Sequence, residues 1–307
     1  MPHSPTSLEE RILKELTIPG SSQTTVRESY TDLAKRLGVN KETVRLAMKR
    51  AANEKFILKW RMLLNPHVIG QEFAGLQLEA KLDPEKKAHA ISQIELIEGV
   101  AIVFNYHGRA LRIVFYYESD QALQRKLQLI ASICGCKEDE IIWWRVNAPK
   151  SYLKLRKTDW QILKAISTNP RRPTNEIASD IRVSSRTINR RISKMIEDNV
   201  MYLIPVRNVK NALGILCSYL IRCEDSSKRE IDGLLKSEER HKIDFALQNA
   251  KGFSLVSLLL NNVSEAEQFQ GKFRKIKGVK QVYMNMLNDF IFVDSWLEEI
   301  LERNANP

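Results

Sequence analysis

The sequence repeats itself at a spacing of 144 residues, and that repeat limits the architecture more than any other feature. Residues 33 to 57, LAKRLGVNKETVRLAMKRAANEKFI, lie beside 177 to 201, IASDIRVSSRTINRRISKMIEDNVM, without a gap. Leu33 falls on Ile177, Ala34 on Ala178, Leu37 on Ile181, Val39 on Val183, Thr43 on Thr187 and Val44 on Ile188. The same shift carries Gly70 onto Gly214 and Gly108 onto Gly252. Solenoid repeats have periods of roughly 20 to 50 residues. A period this long marks a tandem duplication of a two-part unit, A1-B1-A2-B2.

Charge alternates with the same rhythm. Residues 1–66 hold 12 Lys+Arg against 7 Asp+Glu, and residues 150–210 hold 14 against 5. Residues 67–149 hold 9 against 11, and residues 211–307 hold 13 against 14. The formal net charge of +11 on the 307-residue chain therefore sits on the A modules. Positive charge confined to alternate modules is what a polyanion-binding protein needs. The 43% hydrophobic content is ample for folded cores and excludes a disordered chain.

No apolar run approaches the roughly 20 residues of a spanning helix. Met1-Pro2-His3-Ser4-Pro5 has neither the basic start nor the apolar run of a secretory leader, so a cytoplasmic protein with no membrane partner is expected. Cys134, Cys136, Cys217 and Cys223 give no disulfide framework, and the Cys-x-Cys pair lacks a second pair for zinc. No metal or cofactor is expected.

In the second A module, Trp160, Ile162, Leu163 and Ile166 have helical spacing for a first helix beginning near Thr158. Thr174 is read as the cap of a second helix, and Ser184 as the cap of a third with the stripe Ile188, Ile192, Met195 and Ile196. Ile181-Arg182-Val183-Ser184 is a tight turn between them, and Val200 to Val206 is strand-like. The first copy gives Leu8 to Leu16, Tyr30 to Leu37, the turn Gly38-Val39-Asn40, a helix from Lys41 and a strand from Phe56 to Leu64. Its turn-rich insertion, Ile18 to Thr25, adds six residues between the first two helices.

This is the pattern of a winged helix-turn-helix, in which the third helix reads the major groove. Away from its apolar stripe, the third helix of copy two presents Ser185, Arg186, Asn189, Arg190 and Ser193. Arg pairs with guanine, Asn with adenine, and Ser reaches phosphate. The bland alternative is a solvated basic face, which would not explain the duplication. Copy one places Lys41, Glu42, Arg45 and Lys49 there, with Leu46 where copy two has Arg190, and is expected to be the weaker or differently specific reader.

The B modules read βαββαβ. In B1 the elements are Leu76 to Leu82, a helix opened by Asp83-Pro84, strands Val100 to Tyr106 and Ala110 to Tyr117, a helix from Gln121 to Ile133, and a strand from Glu140 to Val146. B2 repeats them as Ile215 to Cys223, a helix to about Lys236, Lys242 to Gln248, Phe253 to Leu260, a helix Glu265 to Ile276, and Gln281 to Met286, followed by a terminal helix from Ser295. That order is the ferredoxin-like arrangement, with both helices on one face of a four-stranded sheet. Ile102-Val103-Phe104 and Leu255 to Leu260 are apolar on both faces, so the open faces should pair, B1 on B2 or each on a second chain. Trp143 and Trp144 are read as packing residues.

The fold class is therefore α+β: two winged helix-turn-helix domains (1–66 and 150–210) alternating with two ferredoxin-like βαββαβ domains (67–149 and 211–307, the latter with a C-terminal helix). This arrangement resembles a tandem duplication of the Lrp/AsnC family of transcriptional regulators. The resemblance rests on Asp159-Trp160-Gln161-Ile162-Leu163, on the turn and third helix at 183 to 196, and on Leu64-Asn65-Pro66 to Gly70. It implies double-stranded DNA as partner, assembly through the second domain, and a small-molecule effector at the ferredoxin-like domains. The strand-turns Gly108-Arg109-Ala110-Leu111 and Gly252-Phe253-Ser254-Leu255 lack the acidic residue that family places after its glycine, a departure that bears on amino-acid sensing and not on DNA binding.

The reading is a sequence-specific DNA-binding transcriptional regulator, not an enzyme, whose single chain acts as an intramolecular pseudo-dimer or pairs as a homodimer. Two alternatives remain. The siroheme decarboxylases resemble the same two-domain fold and use His and Arg near the tetrapyrrole, which draws attention to Tyr106, His107 and Arg109. An adaptor retaining the fold would bind protein or RNA. No catalytic constellation stands out: His3, His67, His89, His107 and His241 are scattered.

Overall fold

Each A module is built by capped amphipathic helices. The computed structural model describes residues 8–9, 11–12, 29–54, 57–209, 214–236, 243–247 and 252–306. The helix expected over Leu8 to Leu16 is helical at its described residues, and the Ile18 to Thr25 insertion lies outside them. In the first copy, Ser29 caps α1 (Tyr30–Leu37), Gly38 ends it at φ 68°, and Asn40 caps α2 (Lys41–Asn53). Only a residue that tolerates positive φ ends a helix this way cheaply. Leu33, Leu37, Val44, Met48 and Ala51 form the core of this copy, and the strand β1 (Ile57–Leu64) follows.

B1 continues with β2 (Glu72–Glu79), α3 (Pro84–Glu95), β3 (Val100–Tyr106), β4 (Ala110–Tyr117), α4 (Asp120–Ile133) and β5 (Ile142–Val146). The strand β2 starts four residues before the expected Leu76, because Phe73 to Leu78 are buried on both faces and show no alternation there. The second A module is α5 (Lys157–Ile166), α6 (Thr174–Ile181), α7 (Ser185–Glu197) and β6 (Met201–Arg207). Thr174 is the first helical residue and not the cap; Pro173 holds the cap position and offers no side-chain acceptor. B2 is β7 (Ile215–Cys223), α8 (Lys228–Lys236), β8 (Ile243–Leu247), β9 (Phe253–Leu260), α9 (Val263–Arg274) and β10 (Val279–Phe292), and α10 (Ser295–Ala305) closes the chain.

The wings are single strands, and each pairs with the other copy. β1 and β6 run antiparallel with Trp60 opposite Pro205 and Arg61 opposite Ile204. These two rungs exchange under the 144-residue shift, so a local two-fold passes between them and relates the two winged-helix units. Asn65 ties the joint together. Its fully buried side chain donates to the carbonyls of Pro149 and Asn199, both at 2.7 Å, and accepts from His67 N–H at 3.1 Å.

The eight strands of the B modules form one sheet in the order β5-β2-β4-β3-β10-β7-β9-β8. Each half has the ferredoxin-like order, and β10 joins them by pairing with β7 through its first half and β3 through its second. This strand runs well past the expected Gln281 to Met286, because β3 supplies backbone partners for residues 287 to 292. Helices α3 and α4 cover one face of the first half, and Ile231, Ala266, Phe269 and Phe273 cover the second. The helix-free faces meet: Trp144 packs with Leu220, Phe253 and Leu255, its ring 5.4 Å from that of Phe253. The expected sheet-to-sheet burial is thus met within one chain.

At the centre of this seam lies Arg112, 3% exposed. Its Nη2 donates to Gln77 Oε1 at 2.7 Å and, across the seam, to Ser218 Oγ at 2.8 Å. The guanidinium stands over the rings of Phe104 and Tyr106, 5.7 and 5.2 Å from their centroids. The terminal helix α10 seats Trp296, Leu297, Ile300 and Leu301 against Ile162, Leu163 and Ile166 of α5, and Glu302 pairs with Lys164.

Candidate nucleic-acid interface

The helix α7 is positioned by its buried stripe and by one ion pair. Ile188, Ile192 and Met195 pack into the core with α5 and α6, each such burial contributing about 1.5–3 kcal/mol. Arg191 Nη1 reaches the buried Asp159 Oδ1 at 2.7 Å, while Asp159 Oδ2 accepts from Arg156 N–H at 2.8 Å. This link fixes the rotation of α7 about its axis. The Arg191–Asp159 pairing was not legible beforehand, since it joins residues 32 positions apart.

With that face committed, the opposite one is free for recognition. Arg186, Asn189, Arg190 and Ser193 are exposed and Ser185 is half-buried. Arg186 and Arg190 have no ion-pair partner among the described residues. Ser184 accepts from Thr187 N–H at 3.2 Å, and no acidic residue sits in the first turn of α7. The positive end of the helix dipole therefore adds to the two arginines and attracts phosphate. Arg182, at φ 60° in the turn before α7, is a further exposed cation beside it.

Copy one brings its residues together differently. Lys41, Glu42, Arg45 and Lys49 are all exposed along α2, but Arg45 is already engaged. Its Nε donates to Glu42 Oε2 at 2.8 Å and its Nη2 to Glu42 Oε1 at 2.5 Å, and this pairing holds the Glu42 carboxyl below its ordinary range. Leu46 is 52% exposed where copy two has an arginine. Arg45 and Lys49 line a cleft toward the second winged-helix unit, together with Lys59 and Arg171, two cations that no linear motif marks. The two candidate reading helices are thus unequal in charge as well as in sequence.

The other candidate chemistry does not converge. Tyr106 is buried, its ring under Arg112, while His107 and Arg109 stand exposed on the turn. Beneath the turn, Lys87 Nζ donates to the carbonyls of Tyr106 and Gly108 at 2.7 and 2.8 Å, and burial pulls its amine down to about 8. Burial pushes the thiols of Cys134 and Cys217 up to about 12, which makes them poor nucleophiles. Among the described residues no group of three or more His, Cys, Asp and Glu could hold a metal ion, and no helix is long and apolar enough to cross a membrane.

Comparison with known proteins bears on the same elements. Residues 155–200, spanning α5 to the end of α7, match a winged helix-turn-helix DNA-binding family. The siroheme decarboxylase NirDL superposes with a TM-score of 0.58 at 12% identity, covering 96% of this chain and 97% of that one. The fold is similar to that of NirDL from end to end. NirDL in complex with an iron-uroporphyrin III analogue gives 0.57 at 12% identity, covering 97% of this chain and 98% of that one. B. subtilis LrpC, at 15% identity and a TM-score of 0.36, matches 45% of this chain and 96% of its own. Among curated proteins, no sequence matches the chain. The likeness to NirDL establishes the α+β fold; at this identity it is a likeness of fold alone.

Proposed function

We propose that the chain is a sequence-specific DNA-binding transcriptional regulator in which one polypeptide supplies two unequal winged-helix readers. The observation that carries this reading is the pairing of α7's exposed Arg186, Asn189 and Arg190 with a rigidly held apolar stripe, in the segment that matches a DNA-binding family. The antiparallel β1–β6 ribbon supports it, because it relates the two readers by a local two-fold as a dimeric reader requires. The fused pair recognises an asymmetric site, Lys41, Glu42, Arg45 and Lys49 facing one half and Ser185, Arg186, Asn189, Arg190 and Ser193 the other. The domains follow the boundaries read from the sequence, and the ferredoxin-like pair provides assembly and a place for a small-molecule effector. The protein acts in the cytoplasm.

Selection from a random duplex pool tests this. A defined asymmetric sequence should emerge, and Arg186→Ala with Arg190→Ala should abolish that preference. Retention of both affinity and preference by the double variant would remove the assignment of α7 as reader.

The full-length likeness to NirDL favours a second reading, a tetrapyrrole decarboxylase. Against it stands the burial of Tyr106 beneath Arg112 while His107 and Arg109 are exposed. Added siroheme should produce no perturbed absorption band; a bound spectrum would favour the enzyme.

A further inference from the structure

The turn that leads into α7 carries a residue ill-suited to its backbone. Arg182 ends α6 at φ 60°, in the left-handed region. A side chain there crowds the following carbonyl, which is why glycine usually holds such a position. Among the described residues, Asn199 is the other non-glycine residue at positive φ, and asparagine adopts that region more readily than arginine.

The internal repeat supplies a control. The 144-residue shift carries Gly38, at φ 68°, onto Arg182. Both turns close on the equivalent carbonyl: Val39 N–H donates to that of Ala34 at 3.0 Å, and Val183 N–H to that of Ala178 at 3.1 Å. A Cβ at Gly38 would meet nothing within 4 Å, so the first copy of the turn has room for a side chain. The penalty at this turn is therefore one of backbone conformation. Copy one avoids it with glycine, whereas copy two accepts it.

Nothing within the chain offsets that penalty. The Arg182 side chain is exposed and makes no hydrogen bond or ion pair among the described residues. Glu176 and Asp180, the carboxylates of the preceding helix α6, both pair with Arg172. Arg182 thus presents its full charge to solvent three residues ahead of Ser185, at the end of α7 that also carries Arg186. Strain held by an exposed residue without internal contacts points to a role in binding.

We infer that Arg182 contacts a backbone phosphate of bound duplex DNA and sets the register of α7 without reading a base. This contact rests on the regulator reading. It adds an anchor that the first reader lacks at the equivalent place, because Gly38 has no side chain to reach with. A phosphate contact weakens binding to all sequences alike when lost, in contrast to Arg186 and Arg190, whose loss changes preference.

The test uses the full chain with Arg182→Gly and Arg182→Lys, and measures duplex affinity against salt together with the thermal midpoint. Arg182→Gly should make the log–log salt slope shallower by about 0.9, leave the selected sequence unchanged, and raise the thermal midpoint as the left-handed turn is relieved. Arg182→Lys, which keeps the charge, should keep the slope. A weakened slope that came with a lowered midpoint in Arg182→Gly would give the arginine a structural role and overturn the contact. Sequence-selective duplex binding with an unchanged slope in Arg182→Gly would overturn the contact and leave the regulator reading standing. Absence of duplex binding in the unmodified chain would remove the regulator reading and the contact with it.

Discussion

The buried guanidinium of Arg112 offers a quantitative test of the seam between the two sheets. Removing a cation from water costs several kcal/mol. Two hydrogen bonds from a charged donor return about 1.5–3 kcal/mol each, and each aromatic face about 0.5–2 kcal/mol. Burial lowers the affinity of the group for its proton, in keeping with a cation that has no carboxylate beside it among the described residues. The opposing contributions nearly cancel, so Arg112→Met should shift stability by less than about 2 kcal/mol in either direction. Gln77→Leu, which strips one acceptor from the cation, should cost about 1.5–3 kcal/mol. In the Arg112→Met background that cost should vanish, because Gln77 is then itself an unpaired buried amide. The double-mutant cycle is read by guanidinium denaturation, following the transition that Trp144 reports from the same seam. An Arg112→Met cost above about 4 kcal/mol, or a cycle without coupling, would refute the balance.

Three further outcomes follow from the structure. Glu42→Ala releases Arg45, so duplex binding should strengthen and its salt slope steepen by about 0.9 if Arg45 then meets a phosphate; affinity titrations across salt check this. Gly75→Ala would place a methyl 2.5 Å from the Trp144 indole, so it should cost about 1–3 kcal/mol in a denaturant melt and shift Trp144 emission. Lys87 deprotonates near pH 8 in the folded chain, below its ordinary 10.5. Between those values the unfolded chain binds the extra proton, so stability should rise with pH relative to Lys87→Met, as parallel denaturation curves at pH 8 and 10 would show.

Much of this architecture was legible because helices and strands write their periods locally. Val100 to Tyr106 and Ala110 to Tyr117 are found at the expected ends, and Ser184 caps its helix as read. Non-local information is where the sequence fell short. β10 runs on through Asn288 and Asp289, residues that usually signal a turn, because an edge of β3 was waiting to pair with it. Thr174 looked like a cap until Pro173 took that position.

The proposed recognition face of α7 was visible as the polar side of an amphipathic helix, and Arg186, Asn189, Arg190 and Ser193 are exposed. The engagement of Arg45 with Glu42 lay in the spacing of three, yet the pairing itself becomes plain only with the side chains in place. Arg171 and Lys59 belong to no motif: one is in a loop and the other on a strand, and the β1–β6 ribbon alone brings them to one cleft. Arg191 likewise gained its role from Asp159, a partner in another helix.

A single chain that carries two unequal readers should leave an asymmetric imprint on its duplex. Hydroxyl-radical footprinting of the selected duplex, on a complex shown by light scattering to contain one chain, tests it most directly. Two protected half-sites of different sequence should appear, separated by about one helical turn or a multiple of it, with only the half facing α7 lost in Arg186→Ala and Arg190→Ala. A single protected patch, or two identical half-sites affected equally by that variant, would contradict it.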